Sequence, residues 1–339
     1  MLFAALVMQA IIPERYRPRP VRALVVSNML SDEHNSERGR FVRDQVTALR
    51  RLPEIDVELY EFPPGPRNLA CAARALRGRY GAERLDVVHA HFGLTAWPAL
   101  AVPARARGVT VHGTDVRDPR TRQFTRVVLP RMGLVGAVSE ELAHDLPGRA
   151  ARRRAQVLPC GVDLERFRPL PREQARAQLG LALERPHVLF AADPRRAGKR
   201  YDRARELVES LAPSHVALHA LGGVSPEQVP LWVNAANAVL VPSDHEGFGL
   251  AVIEALACDV PVLATPVGVH PTALAGLAGT LCAPFDLQRW RAALKPHIAA
   301  TDPRVAGRDR AEPFSAERMA MRLAAAWRNL LNDGGGHAG

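Results

Sequence analysis

The sequence predicts an α/β protein made of two doubly wound parallel sheets in tandem. Three observations predict it. Short apolar runs alternate with amphipathic helical stretches, the pattern of crossover-connected parallel strands. The alternation stops at a proline-bearing segment and then restarts. A length of 339 residues is too long for one ordinary domain and suits two units of roughly 150.

In the first series Arg22–Ser27 reads as a buried strand. Gly39–Leu52 follows with helical spacing that groups Phe41, Val42, Val46 and Leu49 on one side. Strand Val57–Phe62, helix Arg67–Tyr80, strand Leu85–His89, helix Thr95–Arg107 and strand Val109–His112 come next. Met132–Val138 and Ala155–Leu158 read as short strands around a Glu140–Leu146 helix. Arg166–Arg172 carries two prolines and is the expected linker. The second series is strand Pro186–Ala191, helix Tyr201–Leu211, strand His215–Leu221, helix Pro226–Ala235, strand Ala238–Pro242, helix Phe248–Cys258 and strand Val260–Thr265. Ala316–Leu331 reads as a long final helix, and the Gly334–Gly339 tail as disordered. The expected division is residues 21–165, residues 173–312, a crossover helix over 313–332 and an N-terminal extension over 1–20.

A composition of 47% hydrophobic and 24% charged residues excludes global disorder. No run approaches the ~18–20 apolar residues of a membrane-spanning helix. Met1–Ile12 is too short to span and lacks the basic leading segment of a signal peptide, so a cytoplasmic location is expected. Cys71, Cys160, Cys258 and Cys282 form no Cys-x-x-Cys pair, which speaks against a disulfide framework or structural zinc. Net charge is +10, with +7 in residues 1–165 and +3 in residues 166–339. Only Lys199 and Lys295 among the basic residues are lysine. A basic first half suits either a scattered solvated surface or peripheral contact with an anionic inner membrane face. With 5% aromatics and no stacking motif, no nucleic-acid partner is expected.

Two such sheets in tandem place a cleft between their carboxyl ends, where ligands bind. Ser243-Asp-His-Glu-Gly-Phe-Gly-Leu-Ala-Val-Ile-Glu254 follows a strand at that edge. Gly247 and Gly249 permit close backbone approach, and the helix start presents free N–H groups to phosphate. Glu246 and Glu254 stand eight residues apart, as carboxylates for vicinal hydroxyls or, more plainly, as one capping and one solvated glutamate. Phe190-Ala-Ala-Asp-Pro-Arg-Arg-Ala-Gly-Lys199 places cations at another strand end, which suits a diphosphate leaving group or an ordinary basic loop. Val111-His-Gly-Thr-Asp115, Asp86-Val-Val-His-Ala-His91 and Ser36–Gln45 supply candidates in the first half.

Taken together these segments resemble the retaining GT-B glycosyltransferases of the glycogen synthase and bacterial mannosyltransferase type, group 1 or family 4. Those proteins carry Glu-Gly-Phe-Gly-Leu and a second glutamate at the separation seen between Glu246 and Glu254. The resemblance spans about residues 22–331 and includes Pro159-Cys-Gly-Val-Asp163, where Cys160 replaces a common Asn. Val269 and Thr272 depart from the usual Gly and Glu. It implies a GT-B fold whose last helix returns to the first domain. It also implies a hexosyltransferase that moves sugar, with retention, from a nucleotide-diphosphate donor, UDP favoured, to an unidentified acceptor: a lipid-linked or polysaccharide precursor, or a small metabolite. Phosphorylase, nucleotide-sugar epimerase and non-catalytic binding protein are the rival readings.

The resemblance implies catalytic roles for His112, Lys199 and Glu246. Donor contacts would come from Arg195, favoured over Arg196, and from Lys199, Glu246, Gly247, Phe248, Gly249, Leu250 and Glu254, with Glu254 on the ribose. Gly39, Arg40, His91 and Asp115 would lie on the acceptor side, with His91 facing the cleft. No Asp-x-Asp occurs. No metal and no cofactor beyond the donor are expected.

Overall fold

The computed structural model describes residues 19–32, 38–212 and 215–335. The N-terminal extension up to residue 18, Ser36 and Glu37, and the tail beyond residue 335 lie outside the described residues. Two parallel sheets form. The first orders its strands β2-β1-β3-β4-β5-β6, with β1 Val21–Ser27, β2 Ile55–Glu61, β3 Leu85–His91, β4 Ala104–Val111, β5 Leu134–Ala137 and β6 Ala155–Val157. The second runs β11-β10-β9-β7-β8, with β7 His187–Phe190, β8 Ala217–Ala220, β9 Ala238–Val241, β10 Val262–Ala264 and β11 Leu281–Cys282. In each sheet the first strand lies between the second and third, so the order reverses there and opens a crevice at the strand ends.

β3 is buried along its whole length and β1 from Ala23 onward, as both faces of a covered parallel sheet require. Helix α1, Arg40–Arg50, buries Val42, Val46 and Leu49 and turns its arginines outward. It begins after Gly39 at φ 73°, where an added Cβ would lie 2.3 Å from the Met29 carbonyl oxygen. Helix α2 spans Pro66–Tyr80.

The expected Thr95–Arg107 helix is not formed. One helical turn, Ala96–Ala99, is followed by Pro103 and then by β4, whose residues pair with β3 from Leu85↔Ala104 onward. Proline biases the residue before it towards extended backbone, and parallel pairing claims the residues after it. The sequence alternation offers no element between β4 and β5, yet helix α3, Pro119–Val128, fills that interval. Asp118 caps it by accepting from the Arg120 and Thr121 amides, with Pro119 in the first turn. Helix α4, Glu140–Asp145, is capped by Ser139.

The proline-bearing segment 166–172 is pinned rather than slack. Phe167 is buried. Arg308 donates to the Phe167 and Leu164 carbonyls at 3.0 and 2.8 Å, and Arg304 to Leu170 at 2.7 Å. In the second half, helix α5 is Tyr201–Glu209 and helix α6 is Leu250–Ala257. The last helix, α7, covers Ala316–Gly335, longer than expected, and returns to the first sheet. Its Trp327 is fully buried there and donates its indole N–H to His89 Nδ1 at 3.1 Å. No helix among the described residues is long and apolar enough to cross a membrane.

Trp327→Ala should cost about 3–5 kcal/mol, the usual penalty for deleting a fully buried aromatic. Urea unfolding of the variant checks this. A loss under about 1 kcal/mol would show that α7 does not anchor the first sheet.

Candidate active site

The carboxyl ends of β7 and β9, at the reversal of the second sheet, carry the segments 191–200 and 242–249. They bind each other through the Asp244 amide and the Gly198 carbonyl at 2.9 Å, and through Arg200 to the Asp244 carboxylate at 3.1 Å. Lys199 Nζ lies 2.6 and 2.7 Å from the two carboxylate oxygens of Glu246, and the Ser243 hydroxyl donates to one of them at 2.7 Å. Glu246 is 8% exposed. Burial pushes its carboxyl up, but the Lys199 ammonium and the hydrogen bonds outweigh it and hold the group below the usual range.

Across the cleft is the turn after β4. His112 stands half-buried with Nε2 2.8 Å from His91 Nδ1, and His91 Nε2 meets Gln45 Oε1 at 2.8 Å. With the amide oxygen as assigned, His91 carries its proton on Nε2, and so does His112. Burial lowers both rings, His91 to about 3, and His112 also feels its histidine neighbours. Both are neutral at pH 7.

His91 therefore does not face the cleft. It is 0% exposed and sits behind His112, because β3 is covered on both faces. Asp115 is likewise buried. Its carboxylate accepts from the amides of Gly93, His112 and Gly113 at 2.9–3.1 Å and fixes the turn. Burial raises it to about 6 despite those bonds.

A cavity of about 490 Å³ lies between the two groups. His112, Gly113, Thr114 and Arg117 line one side, and Arg196, Lys199, Glu246 and Gly247 the other. The two candidate arginines are placed differently. Arg195 folds back on Asp193 at 2.7 Å and is largely exposed, whereas Arg196 borders the cavity. Gly249, at φ 104°, starts α6 over the buried ring of His270, so the helix begins two residues later than expected. Phe248 is buried and packs on Phe314 at 5.7 Å. Leu250 opens α6, and Glu254 lies half-buried one turn further on and is not among the residues lining this cavity. Arg40 reaches the second half of the chain at Glu227, 3.0 Å away.

The cleft is shut. A Cβ on Gly247 would lie 1.9 Å from the His112 carbonyl oxygen. Arg117 donates to the Glu246 carbonyl at 2.8 Å, Ser139 to the Gly247 carbonyl at 3.0 Å, and the Gly268 amide to Glu141 at 3.0 Å. Sequence reasoning passed over Gln45, Arg117, Ser139, Ser243 and His270. Ser243 and Gln45 stood inside quoted motifs without a role; the others have no local signal.

Comparison with known proteins decides the family. Residues 15–166 match the family model described as Glycosyltransferase Family 4, and residues 175–304 the model described as Glycosyl transferases group 1. D-inositol 3-phosphate glycosyltransferase of Mycolicibacterium paratuberculosis is 31% identical over 87% of this chain and 77% of its own length. The chain belongs to the group 1 glycosyltransferases. The protein of the same name from Actinosynnema mirum is 32% identical, over 81% of the chain and 78% of its own length. Sucrose-phosphate synthase from Thermosynechococcus elongatus superposes with a TM-score of 0.69 at 20% identity, covering 92% of this chain and all of that one. Anabaena Alr3699/HepE, solved with UDP and glucose, gives 0.68 at 14% identity over 91% of this chain and all of that one. The fold is therefore GT-B, and the protein is a glycosyltransferase enzyme.

Two tests follow from this glycosyltransferase cleft. Lys199→Met leaves Glu246 buried and unpaired, at a cost of about 3–5 kcal/mol at pH 7. In the wild type the depressed Glu246 contributes stability above the unfolded value of 4.5, lost as pH falls through its folded value. In the variant burial, the largest influence on the group, is opposed only by the Ser243 bond and the more distant His270 and raises the folded value, so stability falls as pH rises. The difference between the two proteins in urea should thus grow from pH 4.5 to 7; a constant difference would refute the pairing. Gly247→Ala should hold the cleft open, seen as a larger radius of gyration by small-angle scattering and a transfer rate about 100-fold lower. An unchanged scattering profile would contradict this.

Proposed function

We propose that the chain is a retaining, metal-independent hexosyltransferase drawing on a nucleotide-diphosphate sugar, UDP-linked by preference. One observation carries the reading: Lys199, Arg196 and the backbone of Gly247, two residues before the N-cap of α6, gather at one side of the cavity, with a neutral His112 on the other. Cations and amide dipoles at that place match the charge that builds on a departing diphosphate. Anabaena Alr3699/HepE, which shares the fold, has been solved with UDP-glucose, and this supports a nucleotide-sugar donor.

The donor phosphates take Lys199 from Glu246, which frees that carboxylate to accept from hexose hydroxyls. Glu254 serves the ribose. In the assigned tautomer the Nδ1 lone pair of His112 has no hydrogen-bond donor among the described residues and accepts from a sugar hydroxyl. The bond from the anomeric carbon to the diphosphate oxygen breaks. The acceptor hydroxyl oxygen bonds that carbon on the same face, and its proton passes to the leaving phosphate. Retention by this route suits a site whose bordering carboxylates have other partners, Glu246 the Ser243 hydroxyl and, with a donor bound, the hexose hydroxyls, and Asp118 the amides at the start of α3. Closure of the cleft limits hydrolysis by water. The acceptor is a lipid-linked or polysaccharide precursor or a small metabolite, met in the cytoplasm, with the basic first half able to rest on anionic lipid.

Thermal-shift titration with UDP, GDP and ADP, with and without magnesium, tests the reading. A nucleotide at about 100 times its dissociation constant adds roughly 2.7 kcal/mol. UDP should stabilise the wild type without metal, and Glu254→Ala and Lys199→Ala should lose the shift. No response to any nucleotide would move the assignment to a phosphorylase.

A further inference from the structure

A second cavity, of about 400 Å³, lies at the carboxyl edge of the first sheet. Its walls are mainly apolar, from Leu69 of α2, Leu94 and Trp97 after β3, and Phe124 of α3. Asn28, after β1, and Arg120 supply polar atoms. Phe124 is 57% exposed, an aromatic ring left half in water at the rim. An apolar recess with a bare aromatic rim marks a ligand site rather than a packing fault.

The recess shares a wall with the donor cavity. Thr121, lining the recess, donates its hydroxyl to the carbonyl of Thr114, which lines the donor cavity, at 2.8 Å. Arg117 and Asp118 border one cavity, and Arg120 and Thr121 the other. Phe92, two residues before Leu94, packs on the His112 ring at 4.6 Å.

We propose that this recess holds the apolar body of the acceptor, which is an amphiphile: an aryl or alkyl portion lies against Trp97 and Phe124, and its hydroxyl reaches over the shared wall to the His112 side. The proposal rests on the transferase reading and names the substrate class of its second site. A bare polyol fits poorly, because most of its hydroxyls would face Leu69, Leu94, Trp97 and Phe124 without partners. Arg120, whose charge also acts on Asp118, borders the recess and favours an anionic group at the mouth.

Calorimetric titration with n-octyl β-D-glucoside, kept below its micelle concentration, against methyl β-D-glucoside tests this on the full chain. The octyl compound should bind the wild type at least about tenfold more tightly, since several buried methylenes add that much. Phe124→Ser, at an exposed position, and Leu69→Asp should each remove that advantage while the nucleotide thermal shift stays as in the wild type. Equal binding of the two glucosides, or octyl binding that survives both substitutions, would overturn the proposal. A persisting nucleotide shift in that case leaves the transferase reading standing. Loss of the nucleotide shift in the wild type would instead sink that reading, with alkyl binding read separately.

Discussion

The contact on which the rest of this structure depends is that of Gly247 with the His112 carbonyl. The backbone of one sheet's edge meets the backbone of the other with no room for a methyl group. That approach brings the Lys199–Glu246 pair and His112 to opposite walls of one cavity. The supporting bonds repeat the theme. Arg117 and Ser139 reach backbone carbonyls of residues 246 and 247, so closure is read from main chain and tolerates change in neighbouring side chains.

Charge in the cleft is arranged for exchange. A buried ion pair is weak evidence for stability, because desolvation offsets much of its attraction. Lys199 and Glu246 hold each other where a phosphate and a sugar are proposed to replace them. Each group thus stays partnered whether or not a donor is bound. The histidines follow the opposite rule. His89, His91 and His112 are kept neutral by burial; Gln45 fixes the tautomer of His91 and through it that of His112, while Trp327 fixes that of His89. Trp327, from the far end of the chain, closes that column at His89.

Much of the site was legible because its chemistry is local. Ser243 to Glu254 and Phe190 to Tyr201 each sit on one strand end, and the alternation of strand and helix fixes which end faces the cleft. Gly39 and Gly249 needed positive φ, which glycine announces. Pro103 carried the signal against a helix over 95–107, and Asp118-Pro119 the signal for α3, although apolar periodicity alone pointed elsewhere.

The sequence by itself determined the two-sheet architecture, the family and the residue types at the strand ends, since these depend on periodicity and on short motifs. Only the tertiary structure decided which arginine borders the cavity and that His91 backs His112 instead of facing the cleft. It also decided that Asp115 serves a turn, and that Gln45 and Ser139 take part at all. Direction and burial of a side chain are properties of everything packed around it. An eight-residue motif contains its own backbone path but not the elements, some more than a hundred residues away, that close over it.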